Sequence, residues 1–246
     1  MATTVDVYAL MAGRAYQATR NSINQFQGPQ GWLEFAHVPN NPSFPQFTGA
    51  DGFEAVAFQK GNEIVISYAG TNPSDLSGDM AANIGLATGI GSAQLQQAAE
   101  YYLRVKAANP TANITFTGHS LGGGLAALMG VLFGRQAVTF DQAPFANSAE
   151  RNLLTPNVAE NLKTYLLGQN YTETELQGLT DFLNLRAALP LGEIPNSSLV
   201  TSINVQGEFL SGVLWNIQDR VGLIRTKHVC AEGLFASAFD LERSAA

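Results

Sequence analysis

The chain is poor in the residues that build covalent and metal frameworks. Cys230 is its one cysteine among 246 residues, which excludes an internal disulfide and a cysteine metal site. Charge is scarce as well. Asp, Glu, Lys and Arg make up 13% of the residues, about half of the ~25% usual for soluble domains. The balance is acidic, with a net charge of −7 and no cluster of Lys or Arg. Neither nucleic acid nor an anionic membrane is therefore expected as an electrostatic partner. No apolar run reaches the roughly 20 residues of a transmembrane helix. The opening stretch MATTVDVYALMAGRAYQ has no basic segment ahead of an apolar core. No Sec-type signal peptide is expected, which leaves a cytoplasmic location or export by another route. Internal repeats and low-complexity tracts are missing too.

What the chain has in quantity is glycine, with 24 residues, and apolar residues, at 46%. The length suits one α/β domain over 1–246 with a well-buried core. Residues 3 to 20 carry apolar positions at helical spacing. The stretch HVPNNPSFP, 37–45, lies between aromatic residues and reads as an ordered loop. FEAVAFQKGNEIVISYAG then reads as strand, turn, strand. Residues 92–108 form a helix that stops at Asn109-Pro110. A strand over 114–117, a helix over 121–133 and a strand over 137–140 follow. Residues 146–196 are helical without strands. Strands return over 200–205 and 221–226, with a helix over 209–217 between them. Strands alternating with helices predict an α/β fold with a mainly parallel sheet flanked by helices. The block 146–196 would be a helical cap inserted before the late strands.

Between the strand at 114 and the helix at 121 stands Gly118-His119-Ser120-Leu121-Gly122. The pattern fits a nucleophile elbow, in which a serine occupies a strained strand-to-helix turn and glycines on either side let the two elements pass closely. With 14 serines and 24 glycines, chance supplies about 0.1 such pentapeptides. The setting therefore matters more than the pentapeptide, and it is the required one. A serine hydroxyl needs a base. The chain has three histidines: His119 sits inside the motif and must point away from Ser120, His37 lies upstream in the aromatic loop, and His228 follows the last strand. In α/β-hydrolases the chain order is Ser, acid, His, and only His228 comes after Ser120. The acid must emerge at the same sheet edge. Glu208, just past the strand over 200–205, meets that condition. Asp141, after the strand over 137–140, is an alternative. Asp219 is another, although nine extended residues to His228 would span roughly 30 Å. Two backbone N–H groups complete the chemistry. Leu121 supplies one, and Thr71, where a buried strand ends in Gly70-Thr71, supplies the second half of an oxyanion hole.

These pieces resemble the class 3 lipases, a branch of the α/β-hydrolases. The likeness rests on a strand ending in Tyr68-Ala69-Gly70-Thr71, an Asp-containing turn at Asp75 or Asp79, the helix over 92–108, and strand–GHSLGG–helix. It is good over residues 53 to 145 and looser in the C-terminal quarter. The resemblance implies Ser120 as nucleophile, His228 as base, and Leu121 and Thr71 as oxyanion donors. The family's acid is usually an Asp in a run like Asp-x-Val-Pro. By position the match is Glu208, by residue type it is Asp219. Two further departures are Ala69, where the family often has arginine, and Asp141, where a small residue is usual.

The expected activity is a serine carboxylester hydrolase of lipase or esterase type, working through a Ser-His-acid triad and an acyl-enzyme without cofactor or metal. Its partner would be a lipid or small-molecule ester, with contact at a lipid interface. Residues 80–97, with Ile84, Leu86 and Ile90 among glycines, would form an apolar lip over the acyl pocket. An acyltransferase or phospholipase with the same site, and a non-catalytic binding protein of the same fold, are the alternatives.

Overall fold

In the computed structural model, residues 3–16, 26–39, 41–49, 52–70, 90–143, 146–150, 158–204 and 223–226 are described. The elements run α1 (Val5–Arg14), β1 (Leu33–Val38), β2 (Ala55–Lys60), β3 (Glu63–Tyr68), α2 (Ile90–Ala108), β4 (Asn113–His119) and α3 (Leu121–Phe133). They continue with β5 (Ala137–Phe140), α4 (Ala146–Ala149), α5 (Val158–Gly168), α6 (Gln177–Ala188), β6 (Val200–Asn204) and β7 (Leu223–Thr226). The strands form one sheet in sequential order from β1 to β7. The β1–β2 and β2–β3 pairs are antiparallel, and every pair from β3 to β7 is parallel.

Sequential order has a consequence for the layers. Right-handed crossovers that always step the same way along a sheet put their helices on one face. Side-chain alternation bears this out. Ala55, Ala57, Ile64, Ile66, Tyr68, Ile114 and Phe116 share a buried cluster with α2 and α3. The intervening Val56, Phe58 and Val65 pack with Met11, Ala15 and Tyr16 on the opposite face. Phe140 and Ile203 extend that second face against Ala9 and Ala12. The N-terminal helix thus covers, alone among the described helices, the face that α2 and α3 leave open.

The hairpin expected over 53–70 forms as β2 and β3. Lys60 pairs with Glu63, and Gly61 supplies the positive φ that the two-residue turn needs, at 59°. α3 is buried along its whole length, so its sequence LGGGLAALMGVLF has no polar stripe to show. It ends at Gly134, whose left-handed backbone (φ 60°) lets the next N–H, that of Arg135, reach the Gly130 carbonyl at 2.8 Å. The segment 146–196 holds no strand among its described residues. Its α5 packs on α2 and its α6 on α3, with Gly178 set against the Phe133 carbonyl at the end of α3 remote from Ser120. The lip expected over 80–97 lies outside the described residues up to 89, and the remainder opens α2. The helix expected over 209–217 lies outside them altogether.

One strand was not expected. β1 takes up Leu33–Val38, including His37, which the sequence reading placed in a loop. Its pairing with β2 slips between Phe35 and Val38, and Ala36 between them has φ 54°. A bulge of this kind breaks the period-2 alternation by which a strand is recognised. The aromatic segment after it is ordered, as expected. Phe44 and Phe47 lie 5.6 and 5.9 Å, centroid to centroid, from the ring of Tyr101 on α2.

Polar side chains fasten β1 to its surroundings. Arg14 Nε donates to Glu34 at 2.8 Å, and His37 lies between Glu34 (3.4 Å) and the buried Glu54 (3.0 Å). Burial pushes the His37 pKa down, but hydrogen bonds to Glu34 and Glu54 and their charges outweigh it and hold it above its ordinary value. Burial likewise pushes Glu34 up, and His37 and Arg14 bring it below the ordinary carboxylate value. A raised histidine stabilises below its unfolded pKa of 6.5 and stops doing so as pH climbs through the folded value. A depressed glutamate stabilises above 4.5 and stops as pH falls through its folded value. Urea unfolding of wild type and His37→Gln across pH 4 to 9 should therefore show the largest deficit between about pH 4.5 and 6.5, shrinking above that window. A deficit that stays flat to pH 9 would mean the imidazole contributes only its shape.

Candidate active site

β4 passes into α3 through the single residue Ser120. The serine has φ 54° and ψ −124°, a region costly for any residue with a Cβ. The glycines on either side are required by contact. A Cβ on Gly118 would stand 2.4 Å from the Gly122 carbonyl oxygen, and one on Gly122 would stand 2.1 Å from that of Tyr68. The end of β3, the end of β4 and the first turn of α3 are therefore in backbone-to-backbone contact.

The two peptide planes flanking Ser120 are pinned. Ser120 N–H donates to the Phe140 carbonyl (3.1 Å). The Ser120 carbonyl accepts from Gly124 N–H and from Ala143 N–H, each at 3.0 Å. The Leu121 N–H opens α3 and has no carbonyl one turn behind it to accept its proton. Directly beside it lies Gly70, where a Cβ would come 3.2 Å from the Leu121 nitrogen. A side chain at position 70 would crowd that donor. The positive end of α3 points the same way, toward any charge that develops on oxygen.

The ring of His119 is turned toward Tyr16 and Asp141. Its Nε2 is 3.9 Å from Asp141 Oδ2, and its Nδ1 is 3.5 Å from the Tyr16 hydroxyl. Asp141 is buried at φ 42°, with its N–H donated to the Ile203 carbonyl at 2.9 Å. Tyr16 was not singled out in the sequence, and no local signal could have found it, because it reaches the elbow across 103 positions. His37 belongs to the β1 cluster described above.

Of the residues expected at the site, Ser120, Leu121 and Asp141 come together at this corner. Thr71, Glu208, Asp219 and His228 lie outside the described residues. The register does fix where the neighbouring strands end. Tyr68, Gly118, Thr139, Ser202 and Ile224 stand in one row across β3 to β7. β6 and β7 therefore run out at Asn204 and Thr226 on the edge where Ser120 sits.

A mainly parallel sheet whose central strand turns through a strained serine into a buried helix defines an α/β-hydrolase. Within that class, the chain belongs to the phospholipase-like family described as the Tle-like phospholipase domain, which matches residues 7–234. An extracellular phospholipase A1 of Serratia liquefaciens is 39% identical over 92 residues, a stretch that makes up 37% of this chain and 28% of that protein. The match thus spans less than a third of that relative's length. Among solved structures, a lipase of Yarrowia lipolytica superposes with a TM-score of 0.48 at 17% identity, covering 91% of this chain and 78% of that one. Lipase II of Rhizopus niveus gives 0.43 at 14%, covering 92% and 82%. Among the described residues no helix is long and apolar enough to cross a membrane.

The strain at Ser120 can be measured. Replacing Ser120 by Gly removes the Cβ that opposes φ 54°, whereas Ala keeps it. Ser120→Gly should be the more stable of the two by about 1 kcal/mol in urea unfolding, and equal stabilities would mean the backbone there is relaxed. Gly122→Ala, by contrast, should cost more than about 3 kcal/mol or prevent folding. Gly168→Ala, where nothing lies within 4 Å of the added methyl, should be neutral or slightly stabilising.

Proposed function

We propose that this chain is a serine hydrolase that cleaves acyl esters of lipids, phospholipids among them, through Ser120, His228 and an acid. The observation that carries the reading is the Ser120 corner: a strained serine before a helix N-terminus, with the Leu121 nitrogen beside Gly70 at the end of β3. In this mechanism His228 takes the Ser120 proton as Oγ attacks the ester carbonyl carbon. The tetrahedral oxyanion is held by the N–H groups of Leu121 and Thr71. Collapse expels the alcohol, which receives the proton from His228. Water, deprotonated by the same imidazole, then cleaves the acyl-enzyme and releases the fatty acid.

Glu208 is our choice of acid, with Asp141 and Asp219 as alternatives. Two observations favour Glu208. β6, which ends shortly before it in sequence, runs out at the serine's edge, and the Asp141 carboxylate already faces His119. The chain acts as a single domain, with 146–196 as its helical insertion. The family description supports a phospholipid substrate, and the scarcity of charge suits work at a lipid interface.

Hydrolysis of phosphatidylcholine vesicles, and of p-nitrophenyl esters from butyrate to palmitate, tests the reading. Wild type should be active, and Ser120→Ala and His228→Ala should each lose about 10³-fold or more in kcat. Glu208→Gln should lose at least about 10²-fold while Asp219→Asn stays within a few-fold. A wild type inactive on every ester, or an active Ser120→Ala, would leave the elbow as a turn in a binding protein.

A further inference from the structure

One side chain from the opposite face of the sheet reaches the elbow. Tyr16, two residues past the end of α1, is buried at 3% exposure. Its hydroxyl donates to the His119 carbonyl at 3.2 Å. It also lies against the end of β3, since a Cβ on Gly70 would come 2.7 Å from it. The His119 carbonyl and the Ser120 N–H belong to one peptide plane. That plane is thus held at both ends, its oxygen by Tyr16 and its N–H by the Phe140 carbonyl.

We propose that Tyr16 is a positioning residue for the Ser120 nucleophile: its hydroxyl fixes the His119–Ser120 peptide and spaces it from Gly70, and so sets both the aim of Oγ and the opening before the Leu121 N–H. The proposal rests on Ser120 being the nucleophile. Without the hydroxyl the plane loses the bond from Tyr16 to its oxygen, and the backbone at φ 54° is held less firmly against a turn toward a less strained angle. The substrate's acyl chain and headgroup need not notice. A misplacement of about 1 Å at a reacting atom is enough to cost on the order of 10²-fold in rate.

Tyr16→Phe removes the hydroxyl and keeps the ring, so the packing against Val56, Val65 and Ala69 is retained. We expect kcat on p-nitrophenyl butyrate to fall 10- to 100-fold with KM within 2-fold of wild type. The rate of inactivation by a fluorophosphonate should fall by the same factor, and Tm should drop by no more than a few degrees. Tyr8→Phe is the companion variant. Tyr8 lies on α1 itself and its hydroxyl engages Thr115 on β4, so the variant should keep wild-type kcat. Three results would overturn the proposal: a kcat for Tyr16→Phe within 2-fold of wild type, an equal loss in Tyr8→Phe, or a loss of kcat accompanied by collapse of Tm. Labelling of the wild type at Ser120, absent in Ser120→Ala, tests the nucleophile separately. A wild type that fails to label takes both readings down, whereas a labelled wild type with an unslowed Tyr16→Phe removes this one alone.

Discussion

At the junction of β4 and α3 three backbones meet with no side chain between them. The Tyr68 carbonyl of β3 faces Gly122, and Gly118 faces the Gly122 carbonyl, at distances that any Cβ would violate. Much of the architecture follows from that contact. A helix held this close to its sheet lies flat on it, and here it is then covered by α2 and α6 on its outer side. It must be apolar all round, and so it is. Gly123 tightens the fit further, since a Cβ there would meet the Gly118 and Phe140 carbonyls at 3.0 and 3.2 Å. Three glycines in the first turn weaken a helix by about 1 kcal/mol each. Burial of Leu125, Leu128, Met129 and Leu132, at roughly 1.5–3 kcal/mol per side chain, outweighs that loss.

The strained serine can be set against what holds it. A residue in this part of backbone space costs about 1–3 kcal/mol. A single hydrogen bond returns about 0.5–1.5 kcal/mol net, so none of those around Ser120 suffices alone. Four converge on its two peptide planes, from Tyr16, Gly124 and Ala143 as donors and to Phe140 as acceptor. Together they match or exceed the strain. They come from the residue two past α1, from α3, from the end of β5 and from the turn after it. The conformation of one residue thus depends on elements from both faces of the sheet.

The elbow was legible in the sequence because its requirements are local. Two glycines, a serine, a β-rich run before and an apolar helix after all lie within about twenty residues, and the observed limits of α3 are those expected. The hairpin β2–β3 was legible for the same reason, through alternation and a Gly-Asn turn. β1 was not, because its bulge at Ala36 removes the alternation and places the polar residues Glu34 and His37 in a strand. The partners of the elbow were hidden for a different reason. Tyr16 and His119 meet because α1 docks across β4, a tertiary event with no trace in spacing. Of the three histidines, His37 is tied to Glu34 and Glu54, His119 is engaged by Tyr16 and Asp141, and His228 lies outside the described residues.

α1 deserves its weight in this scheme for a thermodynamic reason. Its ten residues fall below the roughly 12–15 at which an isolated helix becomes marginal in water, so its form depends on docking. Docking is secured at two places close together in sequence. Arg14 binds Glu34 of β1, while Tyr16 binds the carbonyl before Ser120. The β1 cluster also reaches the site from its other end. Glu54, whose side chain meets His37, accepts the Ala69 N–H through its own carbonyl at 3.0 Å. Ala69 lies against Gly122, and Gly70, the next residue, lies beside the Leu121 nitrogen. The Glu54 backbone carbonyl and the Tyr16 hydroxyl therefore meet the same strand end from two directions. Contact from both sides keeps the Leu121 N–H and Ser120 in register.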